Sequence, residues 1–237
     1  MDILPLIIIL LIIYLLDSSK AKFIEGMDIQ FLTSSETYNF IKSDPDNYFK
    51  NFTRFDLIAR SSESVDDYIT KIVPLDFNEQ QKEILLNIVK NINIKNFTWK
   101  FALTNNGSYE DGYPHTRTDI IFLSTNTFNN SIDNIMRTIK HEYIHVYQRQ
   151  NPVAVNILLR KKGYIPFLTM DSARQLIPLL RSNPDLNNFI YKNPDGQLMY
   201  TIYSSVNPKN LADTITYPIN NVVYEHPYEL MAYSGEN

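Results

Sequence analysis

Apolar and polar positions follow different periods along this chain, and the changes of period divide it. Residues 3–16, ILPLIIILLIIYLL, have no period: they run apolar without interruption into Asp17-Ser18-Ser19-Lys20. As a helix this run reaches about 21 Å, short of the ~30 Å hydrocarbon core of a bilayer. Its length suits a signal-peptide core or a short anchor, so residues 1–22 are expected to form an apolar helix that brings the chain to a membrane. No Lys or Arg precedes the run and no A-x-A-like cleavage site follows it. Lys20 and Lys22 come after it, which by the positive-inside rule favours a cytoplasmic main domain. The segment fits a membrane-anchored or a secreted protein, on either side of the membrane.

From residue 23 to 95 the pattern is expected to be helical. SSETYNFIKSD has Ser35 at an N-cap position, SESVDDYITKI repeats the cap-then-acid form, and NEQQKEILLNIVKNI places Ile84, Leu85, Ile88 and Ile92 at helical spacing behind Asn78. The period then drops to two. In NFTWKFALTN, Phe97, Trp99, Phe101 and Leu103 alternate with polar or small residues, and TDIIFLST reads as a second strand. The two are expected to form a long-looped antiparallel pair leading into a helix that starts near Asn130 or Ser131 and stops at Pro152. Beyond Pro152 the chain again reads as mainly helical, over VAVNILLRKKG and SARQLIPLLRS, interrupted by a hairpin on Asn193-Pro194-Asp195-Gly196. A last short helix runs from Pro227 towards Gly235. The expected fold is α+β: mainly helical, with a small antiparallel sheet ahead of the 131–151 helix and residues 96–237 as its core.

That helix carries the chemistry. At about 100° per residue, Ile132, Ile135, Met136, Ile139, Tyr143 and Val146 form one apolar stripe, while His141 and His145 share another face. Histidines used as core filling belong inside the stripe. Side chains at i and i+4 point the same way, so two imidazoles can grip one ion at about 2.0–2.1 Å. Glu142, at the edge of the same face, can reach a water on that ion without being a ligand. A third protein ligand is then needed, and YEHPYELMA concentrates the candidates. Glu229 is the first choice, with Ala232 on its helix face permitting close approach; Glu225 and His226 are rivals.

Composition narrows the rest. The 237 residues are 44% hydrophobic and 13% aromatic, enough for a packed core. A formal charge of −4 gives no electrostatic ground for nucleic-acid binding. Cysteine is absent, so a metal must be held by nitrogen and oxygen. Four N-x-[ST] sequons, at Asn51, Asn96, Asn106 and Asn129, are close to the number expected by chance in so Asn-rich a chain and decide nothing.

His141-Glu142-Tyr143-Ile144-His145 with the distant Glu229-Leu230-Met231-Ala232 resembles the gluzincin group of zinc metallopeptidases, whose pattern is HExxH followed by ExxA or ExxxD. The wording HPYELMA is also similar to uncharacterised zincin-like proteins of large DNA viruses. The resemblance implies a zincin-like fold, a Zn2+ ion on His141, His145 and Glu229, and a peptide or protein substrate lying extended along an edge strand. Glu142 would take a proton from the zinc-activated water and pass it to the leaving nitrogen. Tyr224 and His226 are the expected oxyanion stabilisers, with His115 and Arg117 behind them. Two departures matter: the interval from His145 to Glu229 is much longer than in thermolysin-like members, and Tyr233 stands where an Asp often orients a zinc-binding histidine. Besides a peptidase, a catalytically silent zincin-fold protein with a structural or adaptor role at a membrane fits, as does a membrane-anchored interaction protein without metal.

Overall fold

The computed structural model describes residues 28–219 and 224–235. The apolar helix expected over residues 1–22 lies outside them. Among the described residues no helix is long and apolar enough to cross a membrane. The first half of the chain contains β1 (Asp28–Phe31), α1 (Ser34–Ser43), α2 (Arg54–Ala59), α3 (Val65–Lys71), β2 (Pro74–Leu75), α4 (Glu79–Ile92), β3 (Thr98–Thr104), β4 (His115–Arg117) and β5 (Ile120–Ser124). The second half contains α5 (Ile132–Gln150), α6 (Pro152–Lys161), β6 (Ile165–Thr169), α7 (Met170–Leu176), β7 (Phe189–Lys192), β8 (Leu198–Tyr203), β9 (Thr214–Tyr217) and α8 (Pro227–Ser234). The protein is α+β.

Caps set the helix starts. Asn78, Ser64 and Ser131 each accept a backbone N–H three residues on, beginning α4, α3 and α5. For α1 the cap is Thr33, not Ser35: only Thr33 has an acid three residues later, and Glu36 closes the reciprocal box by accepting from the Thr33 N–H at 2.8 Å.

The first sheet differs from the expected antiparallel pair. β3 and β5 run parallel, Lys100 opposite Ile120 and Leu103 opposite Leu123, and β1 joins β3 in parallel as well. Residues 105–119 are long enough for a crossover, and they return through β4, which is antiparallel to β5 and forms the edge. β2 adds antiparallel to β3. Both faces of this sheet are covered, as parallel strands require. Trp99, Phe101, Leu103, Ile121 and Leu123 face α4 and α5, while Ala102, Ile120 and Phe122 pack with Ile41, Phe49 and Tyr68 on the other side. Each fully buried Leu, Ile or Phe of these layers contributes about 1.5–3 kcal/mol. Because β1 pairs with β3 and α4 packs into this core, the boundary expected at residues 95/96 runs through a shared sheet.

The region beyond Pro152 is less helical than expected. It holds a four-stranded antiparallel meander, β6-β7-β8-β9. The hairpin foreseen on Asn193–Gly196 joins β7 to β8, with Asn193 N–H donating to Gln197 O at 2.8 Å and Gly196 at φ 79°. The helix expected over SARQLIPLLRS stops at Leu176, because Pro178 disfavours helical backbone just before it.

A buried polar network ties the meander to the first sheet. Arg60 donates to Glu110 at 2.5 Å and to Tyr48 at 2.8 Å, with Asp56 at 3.6 Å, and Tyr203 of β8 donates to Asp56 at 3.0 Å. Arg60→Ala leaves the Glu110 carboxylate buried without its cation. A loss of about 3–5 kcal/mol is expected in chemical denaturation, and an effect under about 1 kcal/mol would show the pair to be dispensable.

Candidate metal centre

On α5, Ile135, Ile139 and Val146 are buried, and Met136 and Tyr143 pack against the same core, so the apolar stripe lies where the pattern put it. Its first member, Ile132, is 49% exposed instead. His141 and His145 occupy the other face, beneath α8. There Ala232 is fully buried, and a side chain at Gly235 would meet Ile144 Cδ1 at 2.0 Å, so small residues permit the approach of the two helices.

This approach brings three donors together. His145 Nε2 lies 3.1 Å from His141 Nε2, His141 Nε2 lies 3.4 Å from Glu229 Oε2, and His145 Nε2 lies 3.7 Å from Glu229 Oε1. His141, His145 and Glu229 form a group that can hold a metal ion. Burial drives His145 down to about 4. Burial alone would raise Glu229, but the two imidazoles, with Arg181, outweigh it and bring the carboxyl down to about 2. At neutral pH, His145 therefore offers a lone pair beside an ionised carboxylate.

The tautomer of His145 follows from its neighbour. Gln148 Nε2 donates to Tyr228 O at 3.0 Å, which turns Gln148 Oε1 towards His145 Nδ1 at 3.0 Å. That oxygen can only accept, so Nδ1 carries the proton and Nε2 presents its lone pair to Glu229 and His141. Gln148 thus orients the His145 ring. Gln148→Leu is expected to weaken divalent-metal affinity by about 10–100-fold with the fold retained, measured by competition with a chelating dye. Unchanged affinity would refute this role.

A cavity of about 410 Å³ opens beside the donors, lined by His141, Glu142, Glu229, His115, Tyr224 and Asp185 among others. Glu142 is held by Thr116 of β4, whose hydroxyl donates to Oε2 at 2.8 Å. Burial, followed by the nearby Asp185, pushes the Glu142 carboxyl well up, against the pull of His141 and Thr116. Burial and Glu229 push Asp185 up to about 6.

The remaining expected site residues divide. Tyr224 lines the cavity and its ring meets Tyr233 at 5.2 Å, which in turn packs on His141 at 4.6 Å. His115 also lines it, stacked on Phe122 at 5.2 Å. His226 is placed otherwise than expected. It is the N-cap of α8, fully engaged: Nδ1 accepts from the Tyr228 N–H at 3.1 Å, and Nε2 faces Asn187 Oδ1 and Phe189 O. It lies outside the cavity lining, and burial drives it down to about 3. Its place is to aim α8, and with it Glu229. Arg117 is also placed otherwise: fully buried, it pairs with Asp44 at 2.5 Å and with Asp46, and is not among the residues lining the cavity. Glu225, a rival ligand, is bound by Arg181 and by Asn183 at 2.6 Å.

Sequence reasoning missed Gln148, Thr116, Asn183 and Asp185. Gln148 was detectable, three residues after His145 on the same helix face. Asn183 and Asp185 carry no local signal; they sit in an irregular segment that the fold lays across the site, Asn183 Nδ2 reaching Glu229 Oε1 at 3.5 Å. No protein-family model, curated protein or solved structure matches the chain.

Proposed function

We propose that this protein is a zinc metallopeptidase of gluzincin type, with His141, His145 and Glu229 as ligands and Glu142 as general base. The observation that carries the reading is the donor triangle. Bonds of 2.0–2.1 Å to a tetrahedral zinc require ligand atoms about 3.3–3.4 Å apart; the two imidazole nitrogens lie 3.1 Å apart, one carboxylate oxygen of Glu229 lies 3.4 Å from His141 and the other 3.7 Å from His145, with one donor atom from each residue falling within 4.8 Å of the others. Three protein donors leave one tetrahedral position open, as in catalytic rather than structural sites. A mixed sheet whose antiparallel edge strand, β4, adjoins the HEYIH helix supports a zincin-like fold.

Zinc, when bound, supplies Lewis-acid chemistry, acidifying a water and polarising a carbonyl. The chain's own residues do the rest. Thr116 fixes one oxygen of Glu142, leaving Oε1 to accept the proton of the attacking water and return it to the leaving nitrogen. A carboxyl whose proton affinity is raised by burial suits that exchange near neutrality. Tyr224, in the cavity wall, is the proposed donor to the oxyanion. The substrate is a peptide, and membrane attachment through residues 1–22 belongs to the same proposal.

One observation favours the catalytically silent alternative. The Thr116 N–H and C=O on the β4 edge, where an extended peptide would pair, are already engaged by Asp185 Oδ1 at 2.7 Å and Arg149 Nη1 at 2.9 Å. Metal content and peptide hydrolysis of the full-length chain separate the two readings: zinc with turnover supports the peptidase, and zinc without turnover supports the silent form.

A further inference from the structure

The same engaged edge, together with the charge of the cavity, says what kind of ligand fits. The lining carries five carboxylates, Glu110, Glu142, Asp185, Glu225 and Glu229, and one guanidinium, Arg181. Arg60 neutralises Glu110 at 2.5 Å, and Arg181 is committed to Glu225. Glu142, Asp185 and Glu229 remain. Of these, Asp185 is neither a proposed ligand nor the proposed base, and the buried Arg149 acts on it electrostatically without closing an ion pair.

The unused hydrogen-bonding capacity has the same sense. His115 is 3% exposed and its Nδ1 meets Tyr113 O at 2.9 Å. A carbonyl only accepts, so Nδ1 holds the proton and Nε2 is a bare acceptor, and that Nε2 is buried without a partner. A buried, unsatisfied acceptor in a cavity wall takes a donor from an ordered water or from a ligand group that displaces it. Asp185 is 9% exposed, gives Oδ1 to the Thr116 N–H, and forms no ion pair among the described residues.

Geometry closes one end. The segment Arg181–Asp185 crosses the β4 edge and is fastened on both sides. Ser182 N–H donates to Asp56 at 2.9 Å, Arg149 donates to Pro184 O, and Asn183 holds Glu225. The same residues 182–184 wall off a second cavity of about 510 Å³. A chain entering beside the metal ligands cannot continue along β4 beyond Thr116.

We propose that the closed end of this cavity receives a free amino terminus of a peptide, its ammonium held by Asp185 and His115, so that substrates are engaged at their first residues and not in mid-chain. This rests on the peptidase reading for the nature of the ligand, though the amine site needs no bound metal to be observed.

The test is calorimetric binding of a dipeptide amide and its N-acetylated form to the full-length chain, metal-free and zinc-supplemented, with zinc titrated in the same preparations. The free amine is expected to bind about tenfold or more tightly than the acetylated form in both states, the range of a hydrogen bond to a charged group. Asp185→Asn, which keeps an oxygen for the Thr116 N–H, should reduce that preference to about twofold or less. His115→Phe, which keeps the stack on Phe122, should lower it as well, with circular dichroism confirming that both variants fold. Equal affinity for the two peptides, tighter binding of the acetylated one, or no binding of either overturns the amine site. A preserved preference for the free amine in a chain that takes no zinc would keep the amine site and discard the metal reading.

Discussion

Glu229→Ala is expected to weaken zinc binding by on the order of a hundredfold to a thousandfold, as read from metal content by plasma mass spectrometry and from competition titration of the full-length chain. Structural zinc sites bind with roughly 10–16 kcal/mol through four ligands, so the loss of one donor removes a few kcal/mol. The loss is not readily made up. Glu225, the nearest alternative carboxylate in sequence, is held by Arg181 and Asn183, and both ring nitrogens of His226 are occupied in capping α8. His145→Ala should match it, since that imidazole is fully buried between the other two donors. Full zinc retention in Glu229→Ala would mean that the donor triangle is not the binding site. Parallel loss in both variants, with unchanged circular dichroism, would establish it.

Glu142→Gln should separate chemistry from binding. The amide keeps the size of the side chain and can still accept from Thr116 Oγ1, but it cannot take a proton. Turnover is expected to fall by about 10²–10⁴, with zinc content unchanged. Because Glu142 is no ligand in this reading, a variant that loses both metal and activity would assign it to the metal instead. A variant that keeps full activity would end the general-base role. The pH profile provides a further check on sign. Burial raises the Glu142 carboxyl, so a base that must be ionised loses activity as pH falls through that raised value; the positive charge of a bound ion shifts the same limb to lower pH.

What was legible in the sequence was local. An i,i+4 histidine pair off the apolar stripe fixes a shared helix face, and Glu229 with Ala232 fits a helix able to come close. Both depend only on helical period, and the structure brings these residues together. Strand direction was not legible, because the alternation of Trp99, Phe101 and Leu103 is identical whether the neighbour runs parallel or antiparallel. β1 escaped notice because four residues carry too little period to stand against helical surroundings. The meander went largely unread because its strands are short and half-buried. His226 stands outside the cavity lining for a chemical reason: a ring next to Pro227 looks free to reach a ligand, yet in capping α8 both of its nitrogens are engaged. Asn183 and Asp185 belong to an irregular segment held in place by long-range anchors such as Asp56 and Arg149.

Those anchors bear on how damage to this protein would be distributed. Asp56 on α2 holds Ser182, the next residue Asn183 reaches Glu229, and Tyr203 of the meander leans on Asp56 from behind. Glu229, a proposed ligand, is thus steadied by a carboxylate far upstream, through parts that share no motif. In a screen of random substitutions, changes that abolish the proposed activity should therefore not cluster around HEYIH alone; Asp56 and Ser182 should recur among them, as lesions that leave every proposed ligand intact and still let the site drift out of true.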